Sequence, residues 1–206
     1  MEEKKYYAHT KKLPDGTPAP VKDWQPLDEH LKNVSKLAAG FAESLGLSST
    51  GEMIGLLHDL GKYSQKFQEY IQKSSNLRRG HVDHSTAGAQ FLFKKLKGND
   101  TESLYVAQFL ALCVASHHSG LIDCLSPDGT NTFINRINKN YTDTHYSQVI
   151  SNLGTDISTE MQRVLATQGG GLLAKKLKEL HSNGDTTEVT YFKWALFGRL
   201  VFSCLI

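Results

Sequence analysis

Between Pro26 and Gly46 the apolar residues Leu27, Leu31, Val34, Ala38, Phe41, Ala42 and Leu45 return at the three- and four-residue spacing of a helix face. The same spacing recurs in run after run along the chain. Nowhere do apolar and polar residues alternate with period two over a useful length. A chain written this way builds its core by laying the apolar stripes of helices together, so the expected class is an all-α helical bundle. Its 206 residues are enough to bury a real core. No linker divides them, and residues 1–206 read as a single domain with residues 1–25 as a polar, turn-rich N-terminal arm around Pro14-Asp15-Gly16.

The helices follow in order. Ser49 and Glu52 stand at capping-box spacing before Met53, Leu56, Leu57 and Leu60, a helix predicted to end at Gly61. Phe67, Tyr70 and Ile71 mark a short one. Asp83 is placed to cap a helix starting at His84 and Ser85 and running through Phe91 to Leu96. Leu104 to Val114 leads into His117-His118. The pattern weakens from Leu121 to Tyr146, with a short helix at Phe133 to Ile137, and resumes at Ile157 to Leu165. Gly169-Gly170-Gly171 reads as a flexible break before Leu173, Leu177 and Leu180. The stretch Val189 to Ile206 reads as a central helix burying Phe192, Leu196, Leu200 and Phe202.

Composition excludes some classes. The chain is 39% hydrophobic and 21% charged with net charge +2, so any nucleic-acid footprint must be local. The three cysteines, Cys113, Cys124 and Cys204, read as core thiols of a reducing compartment. No apolar stretch follows Met1-Glu2-Glu3-Lys4-Lys5 as a signal peptide would need, and no run reaches membrane-spanning length. The expected location is the cytoplasm, with no membrane partner.

The nine histidines carry most of the chemistry. His58 and Asp59 adjoin at a helix end, where successive side chains point about 100° apart. Such a pair suits a carboxylate bridging two ions while the imidazole binds one. Gly55 to Lys62 is no phosphate loop, because its glycines are misplaced and Tyr63 follows the lysine. His30 lies on the inner face of its helix. His84 opens one helix and the doublet His117-His118 closes another, and burying two adjacent imidazoles demands partners that a metal ion supplies. Packed helices can bring His30, His58, Asp59, His84, His117 and His118 to one point. Imidazoles with a carboxylate suit Mn, Fe, Co or Ni better than an all-oxygen Mg site, although Mg remains possible. Two such ions would clamp an in-line displacement at phosphorus.

The order His30, His58-Asp59, Gly61-Lys62, Asp83-His84-Ser85, His117-His118 resembles the HD superfamily of metal-dependent phosphohydrolases. With Tyr7-Ala8-His9, Asp23-Trp24-Gln25-Pro26-Leu27 and Arg199 to Ile206, the series is similar to the HD nuclease domain of the CRISPR-associated helicase–nuclease of type I systems. The resemblance implies a two-metal single-stranded DNA nuclease, cutting and then degrading the strand displaced by an RNA-guided surveillance complex and fed by a C-terminal helicase region. It implies one metal site on His30, His58 and Asp59. A second would use Asp59, bridging, with His84, His117 and His118, and Lys62 would serve as a phosphate or transition-state cation. In that family the last helix continues to an aspartate completing the first site. The chain ends at Ile206, and neither that aspartate nor a helicase motif is present, so a fragment of a longer protein is expected.

Arg78, Arg79, Lys94 and Lys95 are the candidates for DNA-backbone contacts, and Trp24, Tyr63 and Phe67 for stacking on bases. His9 has two readings, beside the site or solvated on a mobile arm. Two other functions are weighed, a nucleotide phosphohydrolase of the HD type and a non-catalytic docking domain.

Overall fold

The computed structural model describes residues 4–72, 82–167 and 169–206. Among the described residues the body is helical, with one short antiparallel ribbon at its N-terminal end. In chain order the elements are β1 (Tyr7–His9), β2 (Gln25–Pro26), α1 (Leu27–Glu43), α2 (Ser48–Leu57), α3 (Gln65–Ile71), α4 (Thr86–Leu96) and α5 (Thr101–Ser116). They continue with α6 (Thr132–Ile137), α7 (Tyr146–Ser151), α8 (Thr155–Ala166), α9 (Gly169–Leu180) and α10 (Thr187–Ser203). A 3-10 turn, Leu60–Tyr63, follows directly on α2. No described helix is long and apolar enough to cross a membrane.

The centre of the bundle is α2. It is buried from Thr50 to Leu57 except at Glu52, which is why it shows no clean stripe in sequence. It lies almost backbone to backbone on α1: a Cβ at Gly51 would fall 2.3 Å from the Ala38 carbonyl oxygen, and one at Gly55 2.7 Å from Ser35 Cα. Ser35, Ala38 and Ala42 are the small residues of α1 that permit this approach. Helices α4, α5, α8 and α9 cover the other sides of α2.

That placement corrects the expectation for α10. Its buried residues are Thr190, Phe197, Gly198, Val201 and Phe202, facing α5 and α9, whereas Phe192 is 71% exposed, Leu196 53% and Leu200 46%. The helix lies on the surface by one face and is not central. Phe41, expected inside, is 60% exposed on the outer side of α1. Cys113 and Cys204 are buried thiols, but Cys124 is exposed.

Local differences have local causes. The Ser49/Glu52 capping box does not form, because the N-cap is Leu47, two residues before Ser49, and Ser49 already lies inside the helix. Gly169-Gly170-Gly171 is no break but the opening of α9, where the Gly169 carbonyl accepts from Thr50 Oγ1 at 2.7 Å and the backbone passes too close to Ser49 for a bulky side chain. The helix α7 had no sequence signal; it inserts Tyr146 and Val149 into the core. The arm is fastened as well as laid over the body. Tyr7 pairs with Pro26 and His9 with Gln25, Leu27 N donates to Tyr6 O at 2.9 Å, and Trp24 Nε1 donates to Ala19 O at 3.0 Å.

Candidate metal centre

Asp59 sits where α2 gives way to the 3-10 turn. His58 is the last residue with helical geometry, and Asp59 leaves it at φ −110°, ψ 20°. This bend turns the carboxylate into the bundle, where only 1% of the residue is exposed. The expected helix end at Gly61 therefore falls earlier, at Leu57, and Gly61 has a different duty. Its N–H donates to the His84 carbonyl at 3.1 Å, and a Cβ there would lie 2.2 Å from that same oxygen. Glycine at 61 is what lets the segment carrying His84 dock on the turn carrying Asp59.

His84 precedes α4, which begins at Thr86. The N-cap residue is therefore Ser85 and not Asp83, the residue expected from the sequence, but Asp83 still binds the helix start: its Oδ1 accepts from Thr86 N at 3.1 Å and its Oδ2 from Thr86 Oγ1 at 2.7 Å. Arg136, from α6, donates to Ser85 Oγ at 2.6 Å and Thr86 Oγ1 at 2.8 Å, and Lys139 Nζ reaches Asp83 Oδ2 at 2.7 Å. Burial opposes the charge on Asp83, but Lys139, Thr86 and Arg136 outweigh it and hold the carboxyl at about 2. Nothing in the sequence announces this brace, because its parts are some fifty positions apart.

The two oxygens of Asp59 face different groups. Oδ2 lies 2.7 Å from Lys62 Nζ, 3.0 Å from His30 Nε2 and 3.1 Å from His58 Nε2. Oδ1 lies 3.2 Å from His117 Nε2, 3.6 Å from His84 Nε2 and 3.8 Å from His118 Nε2. All six residues named as ligands from the sequence thus meet at one carboxylate, together with Lys62.

The donor chemistry fits a cation. Nδ1 of His58, His84 and His117 lies against the backbone carbonyls of Gly55, Val82 and Val114 at 2.7, 3.0 and 2.7 Å. A neutral imidazole has one N–H, and spending it on these carbonyls leaves each Nε2 a lone pair aimed at the carboxylate. Backbone anchoring of the far nitrogen is the usual support of a metal-ligating histidine. Lone pairs crowded on an anion repel unless protons or a metal ion intervene. Protons are a poor answer here. Burial lowers the basicity of His84, and burial with the neighbouring His117 and His84 holds His118 down to about 4. His84 Nε2 is buried without any hydrogen-bond partner. For Asp59, burial pushes the carboxyl up, while positive charge facing it from the imidazole side, His58 first, holds it well below the usual carboxylate range; where the Nε2 atoms carry no proton, a bound cation would supply that charge. Asp59, His84, His117 and His118 bring one ligand atom each within 4.8 Å of one another.

Other candidates fare differently. Lys62 is 2% exposed, with its ammonium on Asp59 Oδ2 and 5.4 Å above the Phe67 ring. Trp24, Tyr63 and Phe67 are all buried, so none offers a free face to a base; Phe67 packs instead against His84 at 5.1 Å between centroids. Lys94 and Lys95 are at the far end of α4, about 12 Å along the helix from Thr86, and lie over aromatic rings, Lys94 at 5.7 Å from Tyr141 and Lys95 at 5.8 Å from Phe91. Arg78 and Arg79 lie outside the described residues. His9, left open between two readings, belongs to the centre: its ring meets His30 edge-on at 4.8 Å, and its Nε2 is 3.5 Å from Lys62 Nζ.

The family model of the HD domain matches residues 27–132, just over half of the chain, and that span holds His30, His58, Asp59, His84, His117 and His118. A search of curated proteins finds no match.

Proposed function

The chain belongs to the HD domain family, and on that premise we propose that it is a metal-dependent phosphodiesterase acting on single-stranded DNA. HD domains are typically metal-dependent hydrolases, and the His/Asp cluster around Asp59 is a donor set able to hold such a metal. The observation that carries the reading is the carboxylate ringed on both oxygens by imidazoles whose far nitrogens are spent on backbone carbonyls.

In this proposal Asp59, His84, His117 and His118 hold one divalent transition ion, and His30, His58 and Asp59 a second. Mn, Ni, Co and Fe are the candidates, with Mg possible. Such ions supply Lewis acidity toward phosphoryl oxygens and compensate the charge that builds up as the diester is cleaved. The protein's own part is preorganisation. The carbonyls of Gly55, Val82 and Val114 fix three imidazoles, the Arg136 and Lys139 brace fixes the segment bearing His84, and Lys62 keeps a positive charge beside the carboxylate in a dry position. Groups held this way need little rearrangement as charge develops.

A polymer substrate is favoured by the openness of one side, where the His118 side chain is 53% exposed and His9 is exposed. A long chain can cross such a rim without being engulfed. The resemblance of the residue series to the nuclease of type I CRISPR systems adds the displaced DNA strand, the surveillance complex and a helicase region as proposed partners.

Covalently closed circular single-stranded DNA incubated with Mn²⁺ or Ni²⁺ tests the reading. Opening of the circle is expected, and its loss in Asp59→Ala and His58→Ala. An intact circle alongside turnover of free nucleotides would replace the nuclease with a nucleotide phosphohydrolase. Neither activity, in protein that binds no ion, would leave only a docking role.

A further inference from the structure

The histidines around Asp59 are not all set the same way. His58, His84 and His117 give their Nδ1 proton to a carbonyl and offer an Nε2 lone pair. His9 is reversed. Its Nε2 lies 3.5 Å from the Lys62 ammonium, which has only protons to give, so Nε2 accepts and the ring proton rides on Nδ1. Among the described residues that ammonium is the only hydrogen-bond partner of the His9 ring. His9 is exposed, yet one of its nitrogens lies within 4.8 Å of the ligand atoms of His30 and Asp59. It therefore presents a spare N–H at the rim of the centre.

Its position is built, not incidental. The strand β1 holds His9 against Gln25. The buried Gln68 side chain accepts from Tyr7 N at 3.0 Å and donates to Tyr7 O at 2.9 Å and to Lys62 O at 2.8 Å. One amide thus ties the strand carrying His9 to the turn carrying Lys62 and Asp59.

We propose that His9 is a further catalytic residue, a hydrogen-bond donor that meets an oxygen of the substrate phosphoryl group through Nδ1–H and is not a metal ligand. The inference rests on the phosphodiesterase reading above and names a residue outside the span matched by the family model. Proximity alone would make His9 a third ligand beside His30 and Asp59. Against that, its Nε2 lone pair is engaged by the Lys62 ammonium, whereas the Nε2 atoms of His30 and His58 face the Asp59 carboxylate. A donor in this place strengthens its bond as negative charge gathers on the phosphoryl oxygens. It keeps its proton throughout.

The test compares wild type with His9→Ala and with His9→Gln, which restores an N–H donor. Calorimetry counts the Mn²⁺ bound, and turnover is followed on bis(p-nitrophenyl) phosphate and on its phosphorothioate counterpart. Ion number should be the same in all three proteins. The kcat of His9→Ala should fall about 100-fold, as for loss of one transition-state donor, with a smaller change in KM, and His9→Gln should recover about ten-fold of it. The penalty for sulfur in place of oxygen should shrink in His9→Ala, a change that a merely structural role would not produce. A His9→Ala protein binding fewer ions would make His9 a ligand and overturn the proposal. So would an unchanged kcat, or a His9→Gln protein no better than His9→Ala. Wild type that neither binds Mn²⁺ nor cleaves the diester would overturn the phosphodiesterase reading along with it.

Discussion

Take the carboxylate from Asp59 and the imidazoles lose the anion between them. Asp59→Asn keeps the volume and removes the charge, leaving the buried Lys62 ammonium without its counter-ion; it should be less stable by about 3–5 kcal/mol, lose tight Mn²⁺ binding in a calorimetric titration, and lose activity by about 1,000-fold or more. Lys62 makes a subtler case. Its ammonium is buried and bonded to Asp59 Oδ2 at 2.7 Å, and removing one partner of a buried ion pair costs about 3–5 kcal/mol. Lys62→Met should therefore melt earlier than wild type without divalent ions and gain more in melting temperature when Mn²⁺ is added, since an ion then replaces the lost charge. At this scale the sequence was informative. Types and positions alone brought forward His30, His58, Asp59, His84, His117 and His118, because paired or helix-terminal imidazoles are costly to bury without a shared partner. It could not separate a lone pair from an N–H. That distinction between His58 and His9 depends on which carbonyl or ammonium lies beside each ring.

Between elements, the critical joints are places where backbones nearly touch. A Cβ on Gly61 would meet the His84 carbonyl. Gly61→Ala should cost about 1–3 kcal/mol in denaturant unfolding, as overpacking does, and also weaken Mn²⁺ binding, because the segment displaced is the one carrying His84. Arg136 acts on the same segment from the other side, through Ser85 and Thr86. Arg136→Ala should lower Mn²⁺ affinity about ten-fold, in the range seen when supporting groups of a metal site are removed, with Arg136→Lys restoring part of it. That Asp83 binds the start of α4 could be read from the chain, since the two are neighbours, although Ser85 is the residue at the cap. The Arg136 brace could not, because no local pattern links α6 to the start of α4.

For the molecule as a whole, the instructive element is α10. Its apolar residues run through both faces, and spacing does not say which face is covered. In the folded protein Phe197 packs inward with the ring of Phe109 close by at Gly198, while Phe192 and Leu196 face out. Phe197→Ala should cost about 3–5 kcal/mol, and Phe192→Ser or Leu196→Ser no more than about 0.5 kcal/mol, measured by urea unfolding. By itself the sequence determined that this chain makes helices, roughly where they begin and end, and which residue types stand at their ends. Backbone sterics and apolar spacing act over a few residues, and a few residues are visible in a string. Only the tertiary structure decided which helix lies at the centre, which face of α10 meets the core, and that an N-terminal strand brings His9 to Asp59. Those outcomes depend on close approaches at Gly51, Gly55 and Gly61 and on side chains such as Gln68 that bond two distant backbones at once. Interactions of that kind exist only after the chain has folded back on itself.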